Sequence, residues 1–117
     1  METEAILAIP EAGRLTVYAT SQTPFGLRAT IASALNIGES AVRVVVPDMG
    51  GGFGAKAGAR AELVVVAAAA QKLGRPVKWI ETRSENLVAM THGRAQVQEI
   101  ELGLRETGAC LGSKARV

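Results

Sequence analysis

The stretch Asp48-Met49-Gly50-Gly51-Gly52-Phe53-Gly54-Ala55-Lys56 restricts this chain more than any other part of it. Four glycines in five positions follow the apolar run Val42-Arg43-Val44-Val45-Val46 and precede a long Ala/Val segment. A strand that passes through glycines toward a helix leaves bare backbone N–H groups beside a helix N-terminus. Those groups are unpaired, the helix dipole favours negative charge there, and glycine lacks the Cβ that would hold a ligand off the main chain. The loop is expected to receive something phosphorylated or otherwise oxygen-rich and anionic.

Around the loop the pattern reads as alternating strands and helices. Ile6 to Ile9 and Leu15 to Thr20 are predicted strands, parted by the turn Pro10-Glu11-Ala12-Gly13. Thr23-Pro24 predicts a helix start with Thr23 as N-cap, and Leu27, Ile31 and Leu35 mark its buried face. Val42 to Val46 is the next strand. A helix from about Ala59 to Leu73 is apolar nearly all round, which predicts burial on more than one side. Val77 to Glu81 is a strand, Ser84 to Met90 a short helix, and Gln96 to Leu102 a half-exposed strand leading to a last strand that ends at Val117. The fold expected is α+β, a mixed sheet with packed helices in the order β-β-α-β-α-β-α-β-β. A chain that stops inside its last strand reads as a partial domain.

Composition supports that reading. The 117 residues fit one small domain, with Tyr18, Phe25, Phe53 and Trp79 as their only aromatics. The core must come from Val, Ile, Leu and many Ala, which bury little area each. Such a chain is expected to pack against something larger and to be inactive alone. A net charge of +2 with scattered basic residues gives nucleic-acid binding no support. Met1-Glu2-Thr3-Glu4 lacks the features of a signal peptide, and the longest apolar run, Leu63 to Ala70, is eight residues, too short to span a bilayer. A soluble, cytoplasmic protein is expected. The single cysteine, Cys110, excludes an internal disulfide and a cysteine-built metal site, and is expected to be a small packing residue.

The loop admits two familiar motifs. A Walker-type phosphate loop fails, because Ala55-Lys56-Ala57 stands where Gly-Lys-Ser/Thr is needed and magnesium would lack its hydroxyl ligand. A dinucleotide fingerprint of Rossmann type fits better, as Gly50-x-Gly52-x-x-Ala55 with Glu81 at the end of the following strand. On that alternative Glu81 reaches a ribose and its strand lies parallel beside Val42 to Val46. A glycine-rich turn with Phe53 as packing anchor, in a structural remnant without ligand, is the third reading. Gln22, in Thr20-Ser21-Gln22-Thr23-Pro24, either caps or faces water, or donates its amide into a site shared with the glycine loop. Both segments follow strand ends, so they can meet on one sheet edge. His92 is a lone histidine without a partner, and Glu81, Glu85, Glu99 and Glu101 read as turn and strand-face charges. No acid, base and nucleophile set emerges.

Three segments together resemble one family. They are Thr20-Ser21-Gln22-Thr23-Pro24, Met49 through Lys56, and Leu73-Gly74-Arg75-Pro76-Val77-Lys78-Trp79 with Arg83-Ser84-Glu85-Asn86. In this order they resemble the molybdenum hydroxylases: xanthine dehydrogenases, aldehyde oxidases and the large subunit of aerobic carbon monoxide dehydrogenase. The resemblance runs over residues 1–117 and implies a fragment of the first molybdenum-cofactor domain of a larger subunit. It implies an oxidoreductase that oxidises a small-molecule substrate with water-derived oxygen. The cofactor implied is molybdenum-molybdopterin in its cytosine dinucleotide form, with iron–sulfur and FAD on partner subunits. Gln22 matches the glutamine whose amide faces an oxo ligand of the molybdenum, without being a metal ligand. Gly52, Phe53 and Gly54 match the loop that approaches the metal centre and pterin. Ala57 stands where purine-oxidising members carry glutamate, which argues against a purine. The wording around Glu81 to Asn86 and His92-Gly93-Arg94 is closer to the carbon monoxide dehydrogenase branch, which also holds oxidases of aldehydes and N-heterocycles. The family's general-base glutamate and active-site cysteine loop have no match in the chain, Cys110 included.

Overall fold

The computed structural model describes residues 1–91, 93 and 97–116. His92 and the ends of two predicted strands, Gln96 and Val117, lie outside the described residues. The elements are β1 (Ala5–Glu11), β2 (Arg14–Ala19), α1 (Pro24–Ala34), β3 (Val42–Val45), α2 (Ala61–Leu73), β4 (Val77–Ile80), α3 (Arg83–Ala89), β5 (Glu99–Leu104) and β6 (Cys110–Arg116), with one 3₁₀ turn over Glu39–Ala41. Order and type agree with the α+β expectation. No described helix is long and apolar enough to cross a membrane.

Four strands form a mixed sheet in the order β3-β2-β1-β4. β1 pairs antiparallel with both β2 and β4, and β2 pairs parallel with β3. Period-two alternation puts Ile6 and Ala8 of β1 on the same face as their partners Ala19 and Val17 of β2, and on that face all four are buried. α1 and α2 cover that face with Leu27, Ile31 and Ala32, and with Leu63, Val66, Ala67 and Ala70. The fully buried alanines Ala8, Ala67 and Ala70 let α2 lie close against β1, where larger side chains would hold it away. α2 is fully buried along one stripe only, Leu63, Val66, Ala67 and Ala70, and Val65 on its outer side is 64% exposed, so the expected burial on more than one side is not found.

The topology removes the dinucleotide reading. β4 carries Glu81 at its end but lies on the edge opposite β3, with β2 and β1 between them. A Rossmann crevice needs those strands side by side. Glu81 is buried instead, and it closes a charged cluster. Its Oε2 accepts from the Glu4 backbone N–H at 3.0 Å and from Asn86 Nδ2 at 2.7 Å, while Oε1 accepts from Arg60 Nη1 at 3.1 Å. The cluster thus joins β1, β4, α2 and α3. Glu85 forms a capping box with Thr82 at the start of α3.

The β5–β6 hairpin packs against no other element among the described residues. One face carries the pairs Glu99/Arg116 and Glu101/Lys114, and the other carries Ile100, Leu102 and Leu104, all exposed. Cys110, opposite Leu104 on that uncovered face, is exposed, so it is not the packing residue expected.

The cluster's two inner carboxylates titrate in opposite senses. Burial pushes the Glu4 carboxyl above its ordinary value, and its Oε2 has no hydrogen-bond partner although Arg60 Nε lies 3.6 Å away. For Glu81 burial acts the same way but is outweighed by the bonds from the Glu4 N–H and Asn86 and by the Arg60 charge, which hold it below the ordinary range. The Glu81 contribution is therefore present above pH 4.5 and lost as pH falls through its folded pKa, whereas Glu4 costs stability once pH rises past 4.5. Glu81→Ala should cost about 3–5 kcal/mol at neutral pH, because it leaves the buried Glu4 N–H and Asn86 amide without their acceptor and Arg60 with only its longer contacts to Glu4 and Glu62. Glu4→Gln should raise the melting temperature by about 4 °C at neutral pH. That gain should vanish near and below pH 4.5, and thermal melts across pH check both signs.

Candidate functional site

The site grows out of the parallel β2–β3 pair, whose C-terminal ends share one edge. β2 ends at Ala19 and continues through Thr20 and Ser21 to Gln22, while β3 ends at Val45 and continues into the glycine loop. The two connections are stitched together. Gln22 N donates to the Lys56 carbonyl at 3.0 Å, and Gln22 Oε1 accepts from Gly54 N at 2.9 Å and Lys56 N at 3.2 Å. Thr23 sits at the N-cap of α1 as expected, but its Oγ1 accepts from Gly58 N at 3.0 Å, so its side chain holds the far end of the loop and makes no cap hydrogen bond.

These contacts fix the orientation of the Gln22 amide. Both neighbours are N–H donors, so the carboxamide oxygen must face them. The amide NH₂ is left with no partner among the described residues, on an exposed side chain, as an unoccupied donor. Gly52 is buried against this side chain: a Cβ there would stand 2.5 Å from Gln22 Cδ and Oε1. Only glycine permits that approach.

The loop itself does not run straight into a helix. Ala55 N donates to the Gly52 carbonyl and Ala57 N to the Gly54 carbonyl, making tight turns, and α2 starts only at Ala61 with Arg60 as N-cap. The α2 N-terminus lies beside Glu62 and the buried cluster, so its dipole is not the source of an anion site here. The free donors come from the loop. The amides of Gly51, Gly52 and Phe53 find no acceptor among the described residues. Phe53 has φ 48°, unusual for a bulky residue, and its side chain is 90% exposed. It is therefore not the packing anchor of the third reading. Gly54 has φ 89° and open space where a Cβ would project. Gln22, Phe53 and Gly54 thus form one exposed rim, with Gly52 buried beneath the Gln22 side chain.

Beneath the rim lies a contact that sequence reasoning missed. Lys56 is 2% exposed, and its Nζ donates to Glu2 Oε2 at 3.0 Å. The same oxygen accepts from Gly50 N at 3.0 Å, and Glu2 N donates to the Gly50 carbonyl at 3.1 Å. With Glu2 and Lys56 separated by 54 positions, the sequence gave no signal of it. The Lys56 hydrogen bond, then that from Gly50, hold the Glu2 carboxyl below its ordinary value. A surface depression of about 550 Å³ lies elsewhere, between Arg14, Phe25, Arg28, Glu39 and Arg43. The rim is a wall and not a cavity. The described residues hold no cluster of His, Cys, Asp and Glu suited to a metal ion.

The molybdopterin cofactor-binding domain family model matches residues 1–117. The carbon monoxide dehydrogenase large chain of Hydrogenophaga pseudoflava is 42% identical over 108 residues, which is 92% of this chain and 13% of that protein. The 6-hydroxypseudooxynicotine dehydrogenase complex subunit gamma of Paenarthrobacter nicotinovorans is 37% identical over 118 positions, 100% of this chain and 15% of that one. Among solved structures, quinoline 2-oxidoreductase from Pseudomonas putida 86 superposes with a TM-score of 0.80 at 37% identity, covering 98% of this chain and 15% of that one. The chain spans 13–15% of the length of these proteins.

Gly52 offers a direct check on the rim. Gly52→Ala should force Gln22 off the loop amides and cost about 1–3 kcal/mol, as overpacking does. The Gly54 and Lys56 amides should then exchange with solvent faster than those of β1 and β2. Unchanged exchange at both positions would refute the close packing.

Proposed function

This chain belongs to the molybdopterin cofactor-binding domain family, and from that premise we propose that its Gln22–glycine-loop rim is one wall of a molybdenum-cofactor site in a larger oxidoreductase subunit. The observation that carries the reading is the fixed Gln22 amide. Its oxygen is held by the Gly54 and Lys56 amides, so its NH₂ is presented beside loop N–H groups that have no acceptor. Donors gathered and aimed at one exposed rim can exchange water for an acceptor-rich partner, and an anionic, oxygen-rich group matches their geometry.

The residues fit the group the family binds. Gln22 would donate to it, the Gly52-Phe53-Gly54 backbone would approach it, and the open face at Gly54 would leave room. When bound, the molybdenum cofactor supplies the oxygen and electron transfer of substrate oxidation. The protein side of the reaction is orientation. The Gln22 side chain is pinned before any ligand arrives, so its donor costs little to reorganise. Phe53, exposed and held at positive φ, would screen the site from water.

The reading extends to a cytosine dinucleotide form of the cofactor, to iron–sulfur and FAD centres on partner subunits, and to a cytoplasmic setting. It leaves catalysis to other parts of the subunit, since no acid or base lies at this rim among the described residues. Ala57, exposed just after Lys56, places a methyl group where a charged side chain would be needed to recognise a purine. Carbon monoxide, aldehydes and N-heterocycles suit the reading better.

In the full-length subunit carrying this segment, Gln22→Glu separates the two halves of the amide. A carboxylate still accepts from Gly54 and Lys56 but no longer donates outward. Turnover should fall about ten- to a hundredfold while molybdenum content stays at the wild-type level. Gly54→Val should instead lower the metal content, because a branched side chain at φ 89° both strains the loop and fills the approach. Full activity in Gln22→Glu would refute the donor role.

A further inference from the structure

Resting on the cofactor reading of the rim, we propose that Glu2 is a positioning residue for the glycine loop, acting through Gly50 and Lys56. Three bonds converge on it. Its N–H donates to the Gly50 carbonyl, and one carboxylate oxygen accepts from both the Gly50 N–H and the Lys56 ammonium. The approach is close enough that a Cβ on Gly50 would stand 2.8 Å from Glu2 Cβ. Glu2 therefore grips the loop at the start of its glycine run, residue 50, and two positions past its end, residue 56.

What lies between the two grips is the rim. Gly51, Gly52 and Phe53 carry the amides without acceptors, and Lys56 is also the residue whose N–H and carbonyl engage Gln22. Fixing Lys56 fixes the Gln22 amide. The Lys56 side chain is buried with one carboxylate paired to it, so removing Glu2 strands a buried ammonium as well as freeing the Gly50 N–H. Glu2 is not a loose end, because Arg83 Nη2 donates to the neighbouring Met1 carbonyl at 2.6 Å and Arg83 Nη1 to Asn86, a member of the buried cluster. The grip is thus anchored to the sheet and to α3. A loop with four glycines in five positions has a large conformational freedom to lose, and a fixed carboxylate removes it before the ligand binds.

The test uses the full-length subunit, with hydrogen exchange of peptides covering residues 48–58 in the cofactor-free form and molybdenum content in the loaded form. Glu2→Ala should speed exchange in the loop about tenfold or more, leave peptides from β1, β2 and α1 unchanged, and lower molybdenum content. Glu2→Gln keeps the side-chain volume and a carbonyl acceptor but leaves the buried Lys56 ammonium without its counter-charge, so both readouts should fall between those of the wild type and Glu2→Ala, whereas full recovery would reduce Glu2 to packing and overturn the inference. Lys56→Met cuts the same grip from its other end, and should loosen the loop if Glu2→Ala proves too unstable to purify. Loop exchange unchanged in both variants overturns the inference. So does a loosened loop with wild-type molybdenum content, provided Gly54→Val in the same subunit lowers that content. If Gly54→Val also leaves it unchanged, the cofactor reading of the rim fails and takes the inference with it.

Discussion

The parallel pairing of β2 with β3 is the constraint on which the rest of the rim depends. It registers Leu15 with Val42 and Tyr18 with Val45, so both strands finish at the same edge of the sheet. Had β3 paired antiparallel, as β1 does with β2, the glycine loop would emerge at the end of the sheet away from Gln22. Parallel strands need a crossover, and α1 supplies it by packing Leu27 and Ile31 back onto the sheet. The crossover starts at Pro24, immediately after Gln22 and Thr23. The residues that meet the loop are therefore those that leave the strand before the chain turns into the helix.

A second constraint is the distribution of charge. The apolar core is built from small and medium residues, and Glu4, Arg60, Glu81 and Asn86 close it at the sheet edge that it shares with the rim. Such a cluster adds little net stability, because desolvation offsets the attraction among its members. It does restrict geometry: Glu81 binds the backbone of one strand, the helix N-cap and a side chain of α3 at once. Lys56 with Glu2 repeats the device at the loop. In both places a charged side chain joins segments far apart in sequence where an Ala-rich interface has few large side chains to interlock. Small residues allow close approach but specify it weakly, and the charged contacts restore the specificity.

Element order was legible because each strand and helix is short, strongly patterned and bounded by Gly, Pro or Asn. The meeting of Gln22 with the loop was legible too, since it required only that two strand ends share an edge. What escaped the sequence had nonlocal causes. Glu81 looks like a turn charge until Arg60 and Asn86 are brought around it. Thr23 has the sequence of a helix cap, but the Gly58 N–H competes for its hydroxyl and wins. Cys110 shares its sequence parity with Lys114 and Arg116, but the register shift at Gly103/Leu104 sets it opposite Leu104, on a face that nothing among the described residues covers. The glycines were expected to deliver a helix dipole, but the turns through Gly52 and Gly54 use up the chain before α2 begins. Glu2 carried no pattern at all.

The absence of the helix dipole changes the physical account of the rim. A helix N-terminus attracts an anion through a field that extends beyond contact range. Isolated loop amides and one carboxamide act only within hydrogen-bond distance and only if correctly aimed. A rim of that kind discriminates by geometry more than by charge, and its affinity rests on how firmly the donors are held before the ligand comes. This explains why so much of the local structure serves to immobilise rather than to contact. Gly52 exists to admit Gln22, Lys56 is buried to hold the loop down, and Thr23 ties Gly58. With Gly54 opening onto empty space, the wall so built is complete on its own side and needs an opposing surface to enclose a ligand. The chain spans 13–15% of the length of its relatives, and on the proposed reading the opposing surface would come from the remainder of such a subunit.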